Sequence, residues 1–420
     1  MERMRISLYD LLICLSTAQD LATPHFNNHH QQTAYLAYRI CEALNLPVED
    51  IKQIFLASLV HDIGAMSVDE KLELIENEPL KVNHHAFRGA KLLENFAPLA
   101  IAAKIVKYHH LFWNGGEGLS YKGEKVLYAS HIIHIADRVC AKFVSSGNII
   151  SQVPSMIESI GEGAGTNFCP ELVDAVESLG DKEYIWLDLF SPAPISRLTD
   201  IGMFSFIVLD MDDITALAYV FSQIIDFRSS FTARHSAGVA RTAERLARLI
   251  GFSPYDCQRM LIAGYLHDIG KLAIDNSLLE KPGRLSRDEY NQIRSHTYYT
   301  YHLLSMIKQF DTINTWASFH HEKLKGNGYP FHIAGENLSL GSRIMAVADI
   351  FTAITEDRPY RKGMSSEESI RVLTGMVQDG SIDGKVVDVL IENFDEINTL
   401  RAQSQQEASE RYRKFMEEDS

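Results

Sequence analysis

The chain has 420 residues, with 40 Lys and Arg against 55 Asp and Glu, a formal charge of −15, and 46% hydrophobic residues. A length of this order holds two to three domains at about 100–200 residues each, and the apolar fraction excludes a largely disordered chain. The acidic balance excludes a protein that coats nucleic acid or anionic membrane, but not one whose bound metal reverses the local sign for a small phosphorylated ligand.

At the start, MERMRISLYDLLICLSTAQD sets basic residues before an apolar run. Asp10 breaks that run and no small-residue cleavage site follows, so no signal peptide is expected. Helical patterning dominates what comes next, as in VEDIKQIFLASLVHD (48–62) and ARTAERLARLIG (240–251), with apolar residues three and four apart. Turn-forming residues cluster at GEGAGTNFCP (161–170) and LFSPAPIS (189–196), and the second is the better domain boundary. The segment ISRLTDIGMFSFIVLD (195–210) is the one serious strand candidate and reads equally well as a linker. Its apolar part, 201–209, is half the length a membrane helix needs. From Arg401 onward, RAQSQQEASERYRKFMEEDS has few apolar residues and is expected as a solvated helix or frayed end. Cys14, Cys41, Cys140, Cys169 and Cys257 are odd in number and form no CxxC pair, which fits buried thiols in a reducing cytosol. The expectation is an all-α cytoplasmic protein with no membrane segment and no nucleic-acid polymer as partner.

The 17 histidines are not evenly spread. His29 to His61 spans 32 residues, as does His235 to His267; His85 to His109 spans 24, as does His296 to His320. Both halves then carry a His pair, His109-His110 and His320-His321, and an Ala-Asp on a helical run, ending in Asp137 and Asp349. HDIG occurs at 61–64 and again at 267–270. The chain is therefore two copies of one helical unit, split near residue 200, with expected domains at 1–195 and 205–400 and a polar tail at 401–420.

Imidazoles and carboxylates without thiolate suit Fe, Mn, Ni or Zn. Seven such residues per copy exceed one site, so two metals sharing a carboxylate are expected, with Asp268 as the natural bridge in the second copy. Paired cations about 3.5–4 Å apart favour displacement at phosphorus.

The second copy resembles the HD-GYP subgroup of HD-domain phosphohydrolases in HDIGK (267–271), HHEKLKGNGYP (320–330) and DIFTAITEDRPYR (349–361). The resemblance implies two tandem all-helical HD bundles and a phosphodiesterase acting on cyclic di-GMP or 3′,3′-cyclic GMP-AMP, with two divalent metals, Fe or Mn first. It implies metal ligation by His235, His267, Asp268, His296, His320, His321 and Asp349. Lys271 matches a lysine that contacts the scissile phosphate. Glu322 matches a site-supporting glutamate, here grouped with the catalytic residues. Gly328 and Tyr329 match the substrate loop, and Arg358 and Arg361 match phosphate- or guanine-binding positions. Lys325 stands where the family usually has Asp, which bears on substrate orientation. Phe231 stands where three-metal members place a glutamate, so two metals are expected.

The first copy keeps His29, His61, Asp62, His85, His109, His110 and Asp137 as a second possible metal site. Yet Ala65 replaces the lysine, Leu111 replaces the glutamate, and FWNGGEG (112–118) lacks the Tyr-Pro. Three readings stay open: a structural or regulatory metal-holding domain, a second active site for a smaller phosphate, and a metal-free scaffold. His25 lies one helical turn before His29 and offers either a further ligand or a capping residue. For the whole chain, the alternatives are a non-catalytic cyclic-dinucleotide sensor and an HD-type 5′-nucleotidase; protein partners stay open.

Overall fold

Helix ends are written into the sequence. Asp210, Ser286 and Ser365 each accept backbone N–H bonds at the start of a helix, and the acidic residue at the third helical position of each returns the bond, satisfying donors that would otherwise be orphaned. The computed structural model describes residues 4–21, 28–67, 70, 83–143, 147–198, 207–228, 234–281, 283–357 and 362–417. Nearly all of their regular structure is helix, with only two-residue strands beside it, and the all-α expectation holds.

The chain divides into two compact units, Ser7–Val208 and Leu209–Glu418. In the first, the helices are α1 (Leu8–Asp20), α2 (His29–Ala43), α3 (Val48–Ser58), α4 (Asn83–Glu94), α5 (Ala100–Val106), α6 (Tyr128–Lys142), α7 (Ile149–Gly161), α8 (Pro170–Glu177) and α9 (Glu183–Leu189). Helix α2 is central, packed on α3 and α6, while α4 lies on α5. Trp186, Tyr35 and Phe55 are fully buried in this core.

In the second unit, the helices are α10 (Met211–Asp226), α11 (His235–Ile250), α12 (Pro254–Leu266), α13 (Asn276–Leu279), α14 (Arg287–Leu304), α15 (Asp311–Ser318), α16 (Leu340–Thr355), α17 (Ser366–Gln378), α18 (Gly384–Glu392) and α19 (Phe394–Glu417). Helix α11 takes the central place, packed on α12, α16 and α19. The core here is built on Phe221, Phe310 and Phe351. Each unit thus surrounds the helix that opens with its first site histidine.

The strand candidate is extended only at Val208–Leu209, and Pro194–Arg197 forms a 3₁₀ turn; residues 199–206 lie outside the described set. The C-terminal segment is one continuous helix with most of its residues exposed, and one face, Arg401, Gln405, Ala408 and Phe415, is buried. Two of these four, Arg401 and Gln405, are polar and matched by hydrogen bonds, so hydropathy patterning could not reveal the packed face. All five cysteines are buried free thiols. No described helix is long and apolar enough to cross a membrane.

Candidate metal centres

A helix ends with carbonyls that have no partner within the helix, and four ligand candidates exploit this. His61 follows α3 and its Nδ1–H donates to the Ser58 carbonyl at 2.8 Å; His109 follows α5 and donates to Val106 at 2.7 Å. His267 caps α12 and donates to Gly264 at 2.8 Å, and His320, following α15, donates to Ala317 at 2.6 Å. Within α14, His296 donates to Ile293 at 2.6 Å. Each bond leaves Nε2 as the nitrogen with the free lone pair, turned inward, which is how metal-binding imidazoles are oriented.

The two HDIG segments form tight turns against the next ligand helix. A Cβ on Gly270 would lie 2.0 Å from the His296 carbonyl oxygen, and one on Gly64 would lie 2.0 Å from that of His85. Only glycine permits that approach. In the second unit Thr300 ties the two together, donating to the His267 carbonyl and accepting from Gly270 N–H, both at 3.0 Å.

The second unit brings all seven candidates together. His235 Nε2 lies 3.1 Å from Asp349 Oδ1, His267 Nε2 3.2 Å from Asp268 Oδ2, and His296 Nε2 3.3 Å from Asp268 Oδ1. His296 and His320 present their Nε2 atoms 3.3 Å apart, and His321 Nδ1 lies 3.8 Å from Asp349 Oδ2. Ligand atoms cluster in two groups, His235, His267 and Asp268, then His296, His320 and His321, each within 4.8 Å. Asp268 offers one oxygen to each side. His267 Nε2 is buried with no hydrogen-bond partner, which leaves its lone pair free to ligate. The donor set therefore fits metal.

Charge supports the same assignment at Asp268, His296, His320 and His321, whereas at His235 burial is outweighed by Glu356 and Asp349, which raise the ring to about 10. Burial alone would raise the Asp268 carboxyl, but His267 and Lys271 outweigh it and hold it well below the usual range. Burial depresses His296 to about 3 and also lowers His320 and His321. Ionised carboxylates and neutral imidazoles are the forms that ligate.

Around this centre Lys271 Nζ lies 2.5 Å from Asp268 Oδ2. Arg228 anchors the segment that carries it, donating to the Lys271, Leu272 and Ile274 carbonyls at 2.9, 3.0 and 3.1 Å. Glu322 is buried, and its two oxygens accept from Phe331 and Ile333 N–H at 2.7 and 3.1 Å; it holds the loop. Gly328 lets that loop cross Glu322, since a Cβ there would lie 2.4 Å from Glu322 Cα. The Tyr329 ring sits 4.8 Å from that of His321, with the Arg294 guanidinium 4.6 Å over its face. Lys325 is turned outward, 3.8 Å from Asp379. Arg358, Arg361, Phe231 and His25 lie outside the described residues.

The first unit repeats the geometry. His29 Nε2 is 2.9 Å from Asp137 Oδ1, His61 Nε2 is 3.4 Å from Asp62 Oδ2, and His85 and His109 Nε2 are 3.1 and 3.4 Å from Asp62 Oδ1. Two groups again form, Asp62, His85, His109 and His110, then His29, His61 and Asp137. His29 Nε2, His61 Nε2, Asp62 Oδ1 and Asp137 Oδ1 are buried without hydrogen-bond partners, so this set fits metal too. The surrounding cation differs among the described residues: Ala65 stands at the place of Lys271, while Arg138 bonds Asp137 Oδ2 at 3.0 and 2.7 Å. A further difference escapes sequence reading. His30 Nδ1 meets Asp20 at 2.5 Å where the second unit has Ser236 bonded to Asp226.

Models of the HD domain match residues 27–142 and 219–386. The chain is 31% identical to 3′3′-cGAMP-specific phosphodiesterase 1 of Vibrio cholerae across 92% of each chain. The chain belongs to the HD-domain family. This tandem HD-domain protein is also 38% identical to a cyclic di-GMP phosphodiesterase of Pseudomonas aeruginosa over 34% of each chain. A solved cyclic GMP-AMP specific phosphodiesterase of V. cholerae shares the fold, with a TM-score of 0.64 at 23% identity over 93% of this chain and 98% of that one. The HD-GYP resemblance of the second half is thereby borne out.

Proposed function

We propose that the second unit carries out the chain's reaction, hydrolysis of a cyclic dinucleotide to its linear form. The 92% match to a phosphodiesterase named for 3′3′-cGAMP supports placing 3′,3′-cyclic GMP-AMP first among substrates, with cyclic di-GMP next. Neither a sensor without turnover nor a 5′-nucleotidase is favoured, since the relatives are named as phosphodiesterases.

The observation that carries the assignment is the lysine beside the carboxylate that faces both ligand groups, Lys271 Nζ to Asp268 Oδ2 at 2.5 Å, for which the first unit has Ala65. His235, His267, Asp268, His296, His320, His321 and Asp349 would hold two divalent cations, Fe or Mn first with Ni and Zn open. When bound, these supply neutralisation of the phosphoryl oxygens and activation of water. Lys271 adds positive charge where charge develops as the 3′-oxygen leaves. Glu322 keeps the loop closed, Tyr329 offers a ring face to the nucleotide, and Arg358 and Arg361 orient its phosphate or guanine.

The first unit we assign as a metal-holding structural or regulatory domain through His29, His61, Asp62, His85, His109, His110 and Asp137. We take residues 1–195 and 205–400 as the two domains and the cytoplasm as their location, which suits five free thiols. Incubating the Mn- or Fe-loaded protein with cyclic di-GMP, cyclic di-AMP and cyclic GMP-AMP tests the reading. Linear dinucleotide is expected from cyclic GMP-AMP; tight binding of all three with no cleavage overturns it.

A further inference from the structure

We infer that Glu356 and Gln405 are positioning residues for His235, which makes the C-terminal helix part of the second centre's support. The inference rests on reading that centre as metal-binding. His267, His296 and His320 each donate Nδ1–H to a carbonyl three residues earlier in their own segment. Among the described residues His235 makes no such bond: it is the first residue of α11, and a helix start presents N–H groups rather than carbonyls. Its Nδ1 needs an acceptor from another element.

Glu356, at the end of α16, supplies it. His235 Nδ1 lies 3.3 Å from Glu356 Oε2, while His235 Nε2 faces Asp349 at 3.1 Å. The same Glu356 oxygen accepts from Gln405 Nε2 at 3.0 Å. The amide cannot turn over, because Arg401 Nη1 donates to Gln405 Oε1. Arg401 is itself braced on Asn398 Oδ1, at 3.0 Å from Nε and 2.8 Å from Nη2. Glu356, Gln405 and Arg401 are 2%, 5% and 6% exposed, so water does not substitute for these bonds. The backbone of α11 is shaped for the arrangement: a Cβ on Gly238, one turn after His235, would come 2.8 Å from Gln405 Nε2. A carboxylate behind a ligating imidazole fixes its orientation and raises its basicity.

The test uses the full chain carrying His61→Ala and Asp62→Ala, loaded with Co²⁺ alone, with its visible absorption and its release to EDTA followed. Glu356→Gln, which keeps volume but weakens the acceptor, is expected to speed release about 10–100-fold and alter the Co²⁺ spectrum, and Gln405→Leu to speed it about 10-fold. Circular dichroism checks folding, and Glu356→Gln carries the test if Gln405→Leu does not fold. Parental release rates and spectra in folded variants overturn the inference while leaving the metal-centre reading standing. A parent that takes up no Co²⁺ overturns both.

Discussion

Lys271 and Ala65 stand at the same place after an HD pair, and their difference separates charge stabilisation from metal holding. Lys271→Ala is expected to lower ring opening by about 10²–10³-fold, the scale for loss of one group that stabilises developing charge, with metal content retained. Steady-state rates with elemental analysis check it. His131 offers an independent pH test. Its ring is buried, donates to the Gly118 carbonyl at 2.6 Å, and is depressed to about 4 by desolvation. The unfolded chain takes up that proton near pH 6.5 and the fold does not, so stability falls as pH drops below 6.5 and levels off near 4. His131→Gln should remove about 2 kcal/mol of the first unit's stability loss between pH 7 and pH 5, read from urea melts at the two values. The ligand candidates were legible because their spacings recur in both halves. His30 with Asp20, Arg138 with Asp137, and Arg228 on the Lys271 turn were not, since each is defined by a partner that carries no motif.

At the scale of elements, the HDIG turn and the helix bearing the next histidine behave as one piece. Gly270→Ala drives a Cβ against the His296 carbonyl, and overpacking of this kind costs about 1–3 kcal/mol or more. The expected result is a lower melting temperature and metal loss confined to the second unit, with Gly64→Ala doing the same to the first; calorimetry and metal analysis of each variant check it. Helix α11 could be read from its apolar spacing, but α19 could not be read as a packed element. Its inward face interrupts the apolar Phe394, Ile397, Ala408 and Phe415 with Arg401 and Gln405, polar residues that earn burial only through the bonds made to Asn398 and Glu356. Helix α3 likewise stops at Ser58, short of the periodic pattern to 62, because His61 must turn back onto the Ser58 carbonyl.

For the whole molecule, two copies share ligand candidates and differ in what surrounds them, and the proposed division of labour rests on that difference. Tandem organisation was legible from the repeat, since equal spacings require equal helix geometry. Substrate preference was not, because it is set by contacts to a nucleotide rather than by contacts within the chain. The most direct measurement is ring opening of 3′,3′-cyclic GMP-AMP by two paired variants, each confirmed folded by circular dichroism. His267→Ala with Asp268→Ala should abolish linear product, because it removes the carboxylate that faces both ligand groups and its neighbouring imidazole. His61→Ala with Asp62→Ala should leave the rate within a few-fold of the parent. Equal loss from both pairs, or activity surviving the first, would contradict the account.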